Sequence, residues 1–325
     1  MTNDTKVTDI STKLNAALAE KQWIVPEVGI RYGVPEAEYF RYWPVASASA
    51  LITLDHQSPA HLLASLDEPE KETPALMLGR AIHAMALEES EFAKRYVVAN
   101  ETCSALTKKN EPCKNSGLLR DAETGAWYCG THAGQAVRRD PRLSISLEDS
   151  IKCQRIVESL LKHPTASEIL RLSPQREVTI VWKDEITGLL CKMRKDLWAP
   201  ELATIGDIKS TMDASKAAFR GQVASLHYHQ KAAWYIGGGR AAGLLVDHFT
   251  HIAVEKSPPY AVQVFRLHNR ALALGAERNA QALARLAGCL KTGVWPAYND
   301  DVQDIDLPEY MYRSATTDAQ FQPSF

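Results

Sequence analysis

Two carboxylates and a lysine stand close together between residues 177 and 209: Asp196, Asp207 and Lys209. Strand side chains alternate between faces, so Asp207 and Lys209 point the same way if 204–209 are extended. Local composition supports that reading. Residues 177–182 (EVTIVW) are rich in β-branched and aromatic side chains, and 184–188 read as a turn. A second strand covers 189–197, and a turn around Pro200 leads into the third. Asp196, near the end of the middle strand, reaches the shared face, so the three groups are expected to converge at a sheet edge. Such a group suits a hard divalent cation acting on a phosphodiester. The carboxylates hold the ion, the ion makes a nucleophile from water at neutral pH, and the lysine offsets developing charge. An Asp-x-Lys triplet alone is commonplace on exposed strands, so the flanking segments must carry the assignment.

The helices around this sheet are read from their periodicity. Residues 47–66 open on serines suited to an N-cap, and Pro59 separates two helices. Residues 74–96 begin with Pro74 and recur at helical spacing, with Gly79 and His83 on one face. A histidine on an apolar helix is ordinarily a buried, hydrogen-bonded one. Here the glycine invites close approach of another backbone, and with the downstream triplet it favours His83 as a metal ligand. Helices are expected over 146–172, over 212–242 with a break at the glycines from Gly237, and over 269–291. Residues 249–255 and 260–267 read as a hairpin. Residues 29–42 read as loop, 1–22 as a frayed amphipathic helix, and 293–325 as a tail packed across the core.

A sharp change in composition marks 100–134. Three of the six cysteines fall there, Cys103, Cys113 and Cys129, followed by His132. Cys129 and His132 have the usual spacing for half of a tetrahedral site, while Cys103 and Cys113 lie wider apart. Three thiolates and one imidazole close a structural zinc site with no open position, and a segment this short and polar needs such a staple to fold. Cys153, Cys191 and Cys289 read as small buried hydrophobes.

The 325 residues are 45% hydrophobic and 23% charged, an ordinary globular balance, with room for one large core or two domains. The formal net charge of -2 means that nucleic-acid contacts must come from a local basic surface. No apolar run is long enough to span a bilayer and the first residues lack a signal-peptide core, so a cytoplasmic protein without structural disulfides is expected.

In order, Gly79-x-x-x-His83, Glu177, Arg194-x-Asp196, Asp207-x-Lys209 and a later helix with Tyr228 and Tyr235 resemble the RecB-type branch of the PD-(D/E)XK nucleases. Within that branch the chain is most similar to phage-type exonuclease VIII (RecE-like) proteins. Residues 58–61 (SPAH), Val254-Glu255-Lys256 with Pro258-Pro259-Tyr260, and Gly293-x-Trp295-Pro296 follow the same pattern. The resemblance covers residues 30–312, with 100–134 as an insertion. It implies an α/β, restriction-endonuclease-like core: a central mixed β-sheet flanked by helices, plus a small zinc-binding insertion. Residues 1–45 would be a tail and loop, and 46–325 the nuclease domain.

The resemblance further implies a 5′→3′ exonuclease on linear double-stranded DNA ends. It would leave 3′ single-stranded tails for a RecT-like annealing protein, in a bacterial cell and encoded by phage or prophage. Mg²⁺, with Mn²⁺ as substitute, would be held by His83, Asp196, Asp207 and the carbonyl of Ile208. Lys209 matches the catalytic lysine, and Glu177 a position that aids the metal or its waters. The family places Gln four residues before the helix tyrosine; relative to Tyr235 that slot is Lys231, with Gln230 one earlier. Either Lys231 has taken over a phosphate contact or the helix is shifted. A phosphate track is expected from Lys192, Arg194, Lys195, Lys216, Arg220 and Lys231, with Ser210, Thr211 and Tyr235 beside the site. Related families form rings on DNA, and trimer and tetramer both remain open here. Two other readings stand beside this one. A silent DNA-end or partner-binding module is disfavoured by the intact Asp196, Asp207 and Lys209. A CRISPR-associated, iron–sulfur endonuclease would carry cysteines flanking the nuclease core, not clustered in one insertion.

Overall fold

The computed structural model describes residues 23–66, 73–298, 301–308 and 312. The expected helix over 1–22, and the tail beyond 308 apart from residue 312, lie outside the described residues. In chain order the elements are β1 (Gly29–Arg31), α1 (Glu36–Phe40), β2 (Val45–Ala46), α2 (Ala48–His56), α3 (Pro59–Ser65), α4 (Pro74–Leu87) and α5 (Glu89–Arg95). The insertion follows, between β3 (Tyr96–Ala99) and β6 (Leu143–Ser146), and holds the hairpin β4 (Leu119–Arg120) and β5 (Trp127–Tyr128). Then come α6 (Leu147–Lys162), α7 (Pro164–Arg171), β7 (Arg176–Lys183), β8 (Leu190–Ala199), β9 (Thr204–Thr211), α8 (Lys216–Ser225), α9 (Tyr228–Ala241), β10 (His248–Glu255), β11 (Val262–Arg266) and α10 (Asn269–Thr292).

One seven-stranded mixed sheet organises these elements in the order β1-β7-β8-β9-β10-β11, with β2 beside β8. β7, β8 and β9 form the expected antiparallel meander. β10 then runs parallel to β9 along its whole length, and β11 folds back as the second arm of the expected hairpin. The stretch read as loop supplies the short strand β1, which pairs with β7, and β2 follows just after it beside β8. A boundary at residue 45 therefore falls inside the sheet. Strands this short carry too little alternation to show in the sequence.

Helices cover both faces. α2, α9 and α10 pack on one core with Trp182, Met193 and Ile205; α4, α6 and α7 pack on the other with Leu197, Ile208 and Ile252. Ser47 caps α2, Ser58 caps α3 and Thr73 caps α4, each side chain accepting a backbone N–H three residues on. Several long helices are split. The 74–96 helix breaks at Glu88, and 146–172 breaks at His163, which precedes Pro164 and so cannot stay helical at low cost. The 212–242 helix breaks at His227, whose φ is +54°, and not at the glycines. Gly238 and Gly239 instead let α9 lie close on the sheet. A Cβ at Gly238 would sit 2.5 Å from the Trp182 ring, and one at Gly239 would sit 2.7 Å from Val246. No helix among the described residues is long and apolar enough to cross a membrane.

Candidate active site and metal centres

The β8–β9 ladder has only three pairs, Leu197↔Gly206, Trp198↔Ile205 and Ala199↔Thr204. Asp196 and Asp207 are the next residues on their strands, where the pairing stops. The carboxylates therefore occupy a fork between two central strands and not a sheet edge, as the triplet alone suggested. Asp207 is buried, with Lys209 Nζ 2.6 Å from Oδ2 and Lys231 Nζ 3.0 Å from Oδ1. Burial works to raise its carboxyl, but the two ammonium groups overcome this and hold it well below the usual carboxylate range. Asp196 is raised, first by burial and then by Asp207.

Glu177 joins this pair through an unusual backbone. It sits inside β7 with φ of +52°, flanked by the pairs Arg176↔Leu197 and Val178↔Lys195, so its cross-strand neighbour is Asp196. A glutamate in the left-handed region is strained, and such strain gathers at functional sites. Burial, and then Asp196, push its carboxyl up to about 8. Arg194 Nε lies 3.7 Å from it.

His83 on α4 completes the group. Its Nε2 lies 2.8 Å from the Ile208 carbonyl, which can only accept, so Nε2 carries the proton and Nδ1 faces Asp196 Oδ2 at 3.4 Å. The ligand atoms of His83, Glu177 and Asp196 all lie within 4.8 Å of one another. Asp196 Oδ2 is buried and has no hydrogen-bond partner. One nitrogen and two carboxylates around an orphaned oxygen fit a divalent cation such as Mg²⁺ or Mn²⁺. The expected ligand set differs in two respects. The Ile208 carbonyl accepts from His83, and both Asp207 oxygens face lysines. Gly79 faces no backbone either: a Cβ there would meet only Ser210 Oγ, at 3.9 Å.

Lys231 faces the site, while the buried Gln230 turns away, accepting from His56 Nε2 at 2.9 Å and donating to Asp55 at 3.1 Å. Several expected phosphate contacts are occupied inside the fold. Lys192 is buried and donates to the carbonyls of Tyr39 and Tyr42, and burial pulls its ammonium down to about 7. Lys195 is 2% exposed over the Trp198 ring, pulled down to about 8 by burial. Tyr235 donates to the Arg194 carbonyl, and Thr211 Oγ1 accepts from Gln222 and donates to the Asp213 carbonyl. Arg194 itself donates to the Val34 carbonyl. Lys216 and Arg220 are exposed on α8, and Ser210 is half-buried beside the site.

Sequence reading missed His251. It is the parallel-strand neighbour of Asp207, with Nδ1 3.8 Å from Oδ2, fully buried among Phe219, Tyr228 and Phe249. Burial pulls its imidazole below the usual range, which keeps it neutral against Asp207. A parallel partner comes from a distant segment, and only the His-x-x-His pattern at 248–251 could have pointed to it.

The three cysteines and His132 are assembled as a quartet, as their clustering suggested. Cys103 Sγ and Cys129 Sγ lie 3.4 and 3.3 Å from His132 Nδ1, and Cys113 Sγ lies 4.0 Å from Cys129 Sγ. Zn–S bonds of about 2.3 Å at a tetrahedral angle separate two sulfurs by about 3.8 Å, so the four groups fit zinc. Burial opposes ionisation of Cys129, but the His132 backbone N–H and the Asn115 amide outweigh it and lower the thiol to about 6. The insertion that carries the quartet runs on to 142, past the expected end at 134, since Asp121 bridges to Arg139 and Asp140 binds Arg120 and Arg142.

No curated protein matches the chain. Among solved structures, a candidate exonuclease from Eubacterium rectale superposes with a TM-score of 0.51 at 14% identity, covering 85% of this chain and 94% of the other. That likeness concerns the fold. A phage related exonuclease from Haemophilus somnus 129PT covers 77% of this chain and 97% of its own at 12% identity, but with a TM-score of 0.32 it bears no weight. Residues 47–308 match the model of a family described as a PDDEXK-like domain of unknown function (DUF3799). That span takes in His83, the fork between β8 and β9, and the cysteine-bearing insertion, and the chain belongs to that family.

Proposed function

We propose that the protein is a divalent-metal-dependent exodeoxyribonuclease that degrades linear duplex DNA from its ends in the 5′→3′ direction. The observation that carries this reading is the fork itself: Asp196, Asp207, Lys209 and His83 converge where the central ladder opens. His83, Glu177 and Asp196 would hold a Mg²⁺ or Mn²⁺ ion, which supplies a nucleophilic water at neutral pH and polarises the phosphoryl oxygens. Lys209 places an ammonium beside the reacting phosphate and stabilises charge that grows in the transition state. Lys231, on the same carboxylate, adds a second cation. Tyr228 lies under Lys209 with its ring centre 5.2 Å from Nζ and limits where that ammonium can go. A separate structural zinc, held by Cys103, Cys113, Cys129 and His132, would pin the insertion.

Three further features belong to the proposal: a RecT-like annealing partner that takes the 3′ tails, a homo-oligomeric ring around the duplex, and a bacterial cytoplasm as the setting. Linear and circular duplexes, labelled at either end and incubated with Mg²⁺, test the reading. Loss of the 5′ label first, with circles spared, is the expected result. Nicking of circles would favour an endonuclease, and an iron–sulfur absorption band would favour the CRISPR-associated type. No Mg²⁺-dependent digestion would favour the silent binding module.

A further inference from the structure

The zinc-binding insertion presents a face that the catalytic reading does not use. Residues 102–116 form a ribbon with antiparallel bridges Thr102↔Ser116 and Leu106↔Pro112, closed by backbone bonds between Cys103 and Asn115, Cys113 and Ala105, and Thr107 and Glu111. Its buried side chains share one parity, although Glu111 and Asn115 on that parity are exposed. Cys103, Ala105 and Cys113 turn inward and are buried; Thr102, Ser104, Leu106, Pro112, Lys114 and Ser116 turn outward and are exposed.

Charge follows the same alternation. Glu101, just before the ribbon, and Glu111 within it are exposed on the parity of the cysteines, so the opposite face carries Lys114 and no carboxylate. The turn displays Lys108 and Lys109 beside Asn110, whose φ of +62° closes the loop. Lys108, Lys109 and Lys114 make no ion pair among the described residues. By contrast, the insertion's Asp121 and Asp140 are consumed internally, by backbone N–H groups of 123, 124 and 137 and by Arg120 and Arg142. In a chain of net charge -2, residues 101–116 set three unpaired lysines against two exposed acids, a small local excess of positive charge gathered on the turn and the outward face.

The module is also rooted near the fork. Arg142, held by Asp140, donates to the Ala93 carbonyl on α5, and Arg95 of the same helix is close enough to Glu177 to act on its carboxyl. A two-stranded ribbon is narrow enough for the major groove of a duplex, where lysines meet phosphates from either side.

We propose that this zinc-pinned ribbon is a second binding site for duplex DNA, with Lys108, Lys109 and Lys114 contacting phosphates and the Leu106–Pro112 pair lying against the sugars. The proposal rests on the nuclease reading and extends its grip beyond the fork. It is tested on the full-length protein with Lys108, Lys109 and Lys114 all changed to Ala, and with the matching triple Arg variant. Zinc content and melting temperature confirm that each variant is folded. Binding of a blunt duplex is then measured across a salt series with Ca²⁺ in place of Mg²⁺, and single-turnover cleavage at saturating DNA with Mg²⁺.

Each lost phosphate contact lowers the log–log salt slope by about 0.9, so the alanine variant should lose about 2.7 from the slope. The arginine variant should keep the slope, and the saturated cleavage rate should stay at the wild-type value in both. An unchanged slope, or a loss confined to single-stranded DNA, overturns the ribbon site while leaving the nuclease reading intact. If the wild type itself neither binds nor cuts duplex DNA, both readings fall together.

Discussion

Asp207 is a buried carboxylate facing two ammonium groups and a neutral imidazole, and each neighbour can be removed singly. Lys209→Ala should slow single-turnover cleavage on the order of 100-fold while changing duplex affinity little, because its charge acts on the transition state. Equal losses in rate and affinity would make Lys209 an anchor instead. Glu177 is open to a different test. Replacement by Asn relieves a left-handed strain of about 1 kcal/mol and removes a carboxylate from the cation site. Glu177→Asn should therefore melt higher and cleave more slowly, and a variant that melts lower would show the backbone is not strained. Lys195 gives a pH signature. Below about pH 8 the folded chain must bury an ammonium that the unfolded chain keeps in water, a cost that vanishes once both states are neutral above the unfolded value near 10.5. Lys195→Met should stabilise the protein at pH 7 by up to about 3 kcal/mol, and the gain should shrink as pH rises towards 10.5. A gain that is constant with pH would assign it to packing alone.

At the scale of elements, α9 is set by how closely it can lie on β7. Trp182 occupies the space that a side chain at Gly238 would need, so Gly238→Ala should cost about 1–3 kcal/mol by overpacking. The same change should weaken cleavage, since α9 also carries Lys231; thermal melting and single-turnover rates measure the two effects. A neutral Gly238→Ala would mean that Trp182 moves aside freely. These glycines also show where sequence reading stops. Three in a row look like a helix breaker by propensity, yet tertiary contact makes Gly238 and Gly239 a packing surface, and the break falls at His227. Local signals, by contrast, were readable: the meander from its alternation and turns, the N-cap ahead of α2 from its serines, the α2–α3 break from Pro59, and the Cys129–His132 half-site from its spacing. Long-range facts were not. Neither the pairing of β1 and β2 with the sheet, nor His251 beside Asp207, nor the burial of Lys192 and Lys195 leaves a mark in neighbouring residues.

For the whole molecule, the Cys3His quartet and the fork are separate centres on one chain. Cys129→Ser should lower zinc content and expose 100–142 to protease, while Mg²⁺-dependent cleavage of a short duplex stays close to wild type. Acidification should act in the same direction. Cys129 is lowered from the ordinary 9 to about 6 in the folded chain, so what its thiolate contributes is complete above about pH 9 and is lost progressively as pH falls to 6. Protease resistance of the insertion that is indifferent to both chelator and pH would remove zinc from this account. The insertion also sits in a telling place. β3 and β6 run parallel, with Tyr96 beside Leu143 and Ala99 beside Ser146, so the chain leaving Ala99 must travel back along the strand before it can begin again. Parallel neighbours always demand such a return, and about a dozen residues suffice for one. The fold thus has a socket at this position whose filling is not dictated by the catalytic fork. Descendants of one ancestor could carry different fillings there, and a chimera with a plain spacer in place of 100–142 should inherit the chemistry while losing whatever the filling brings.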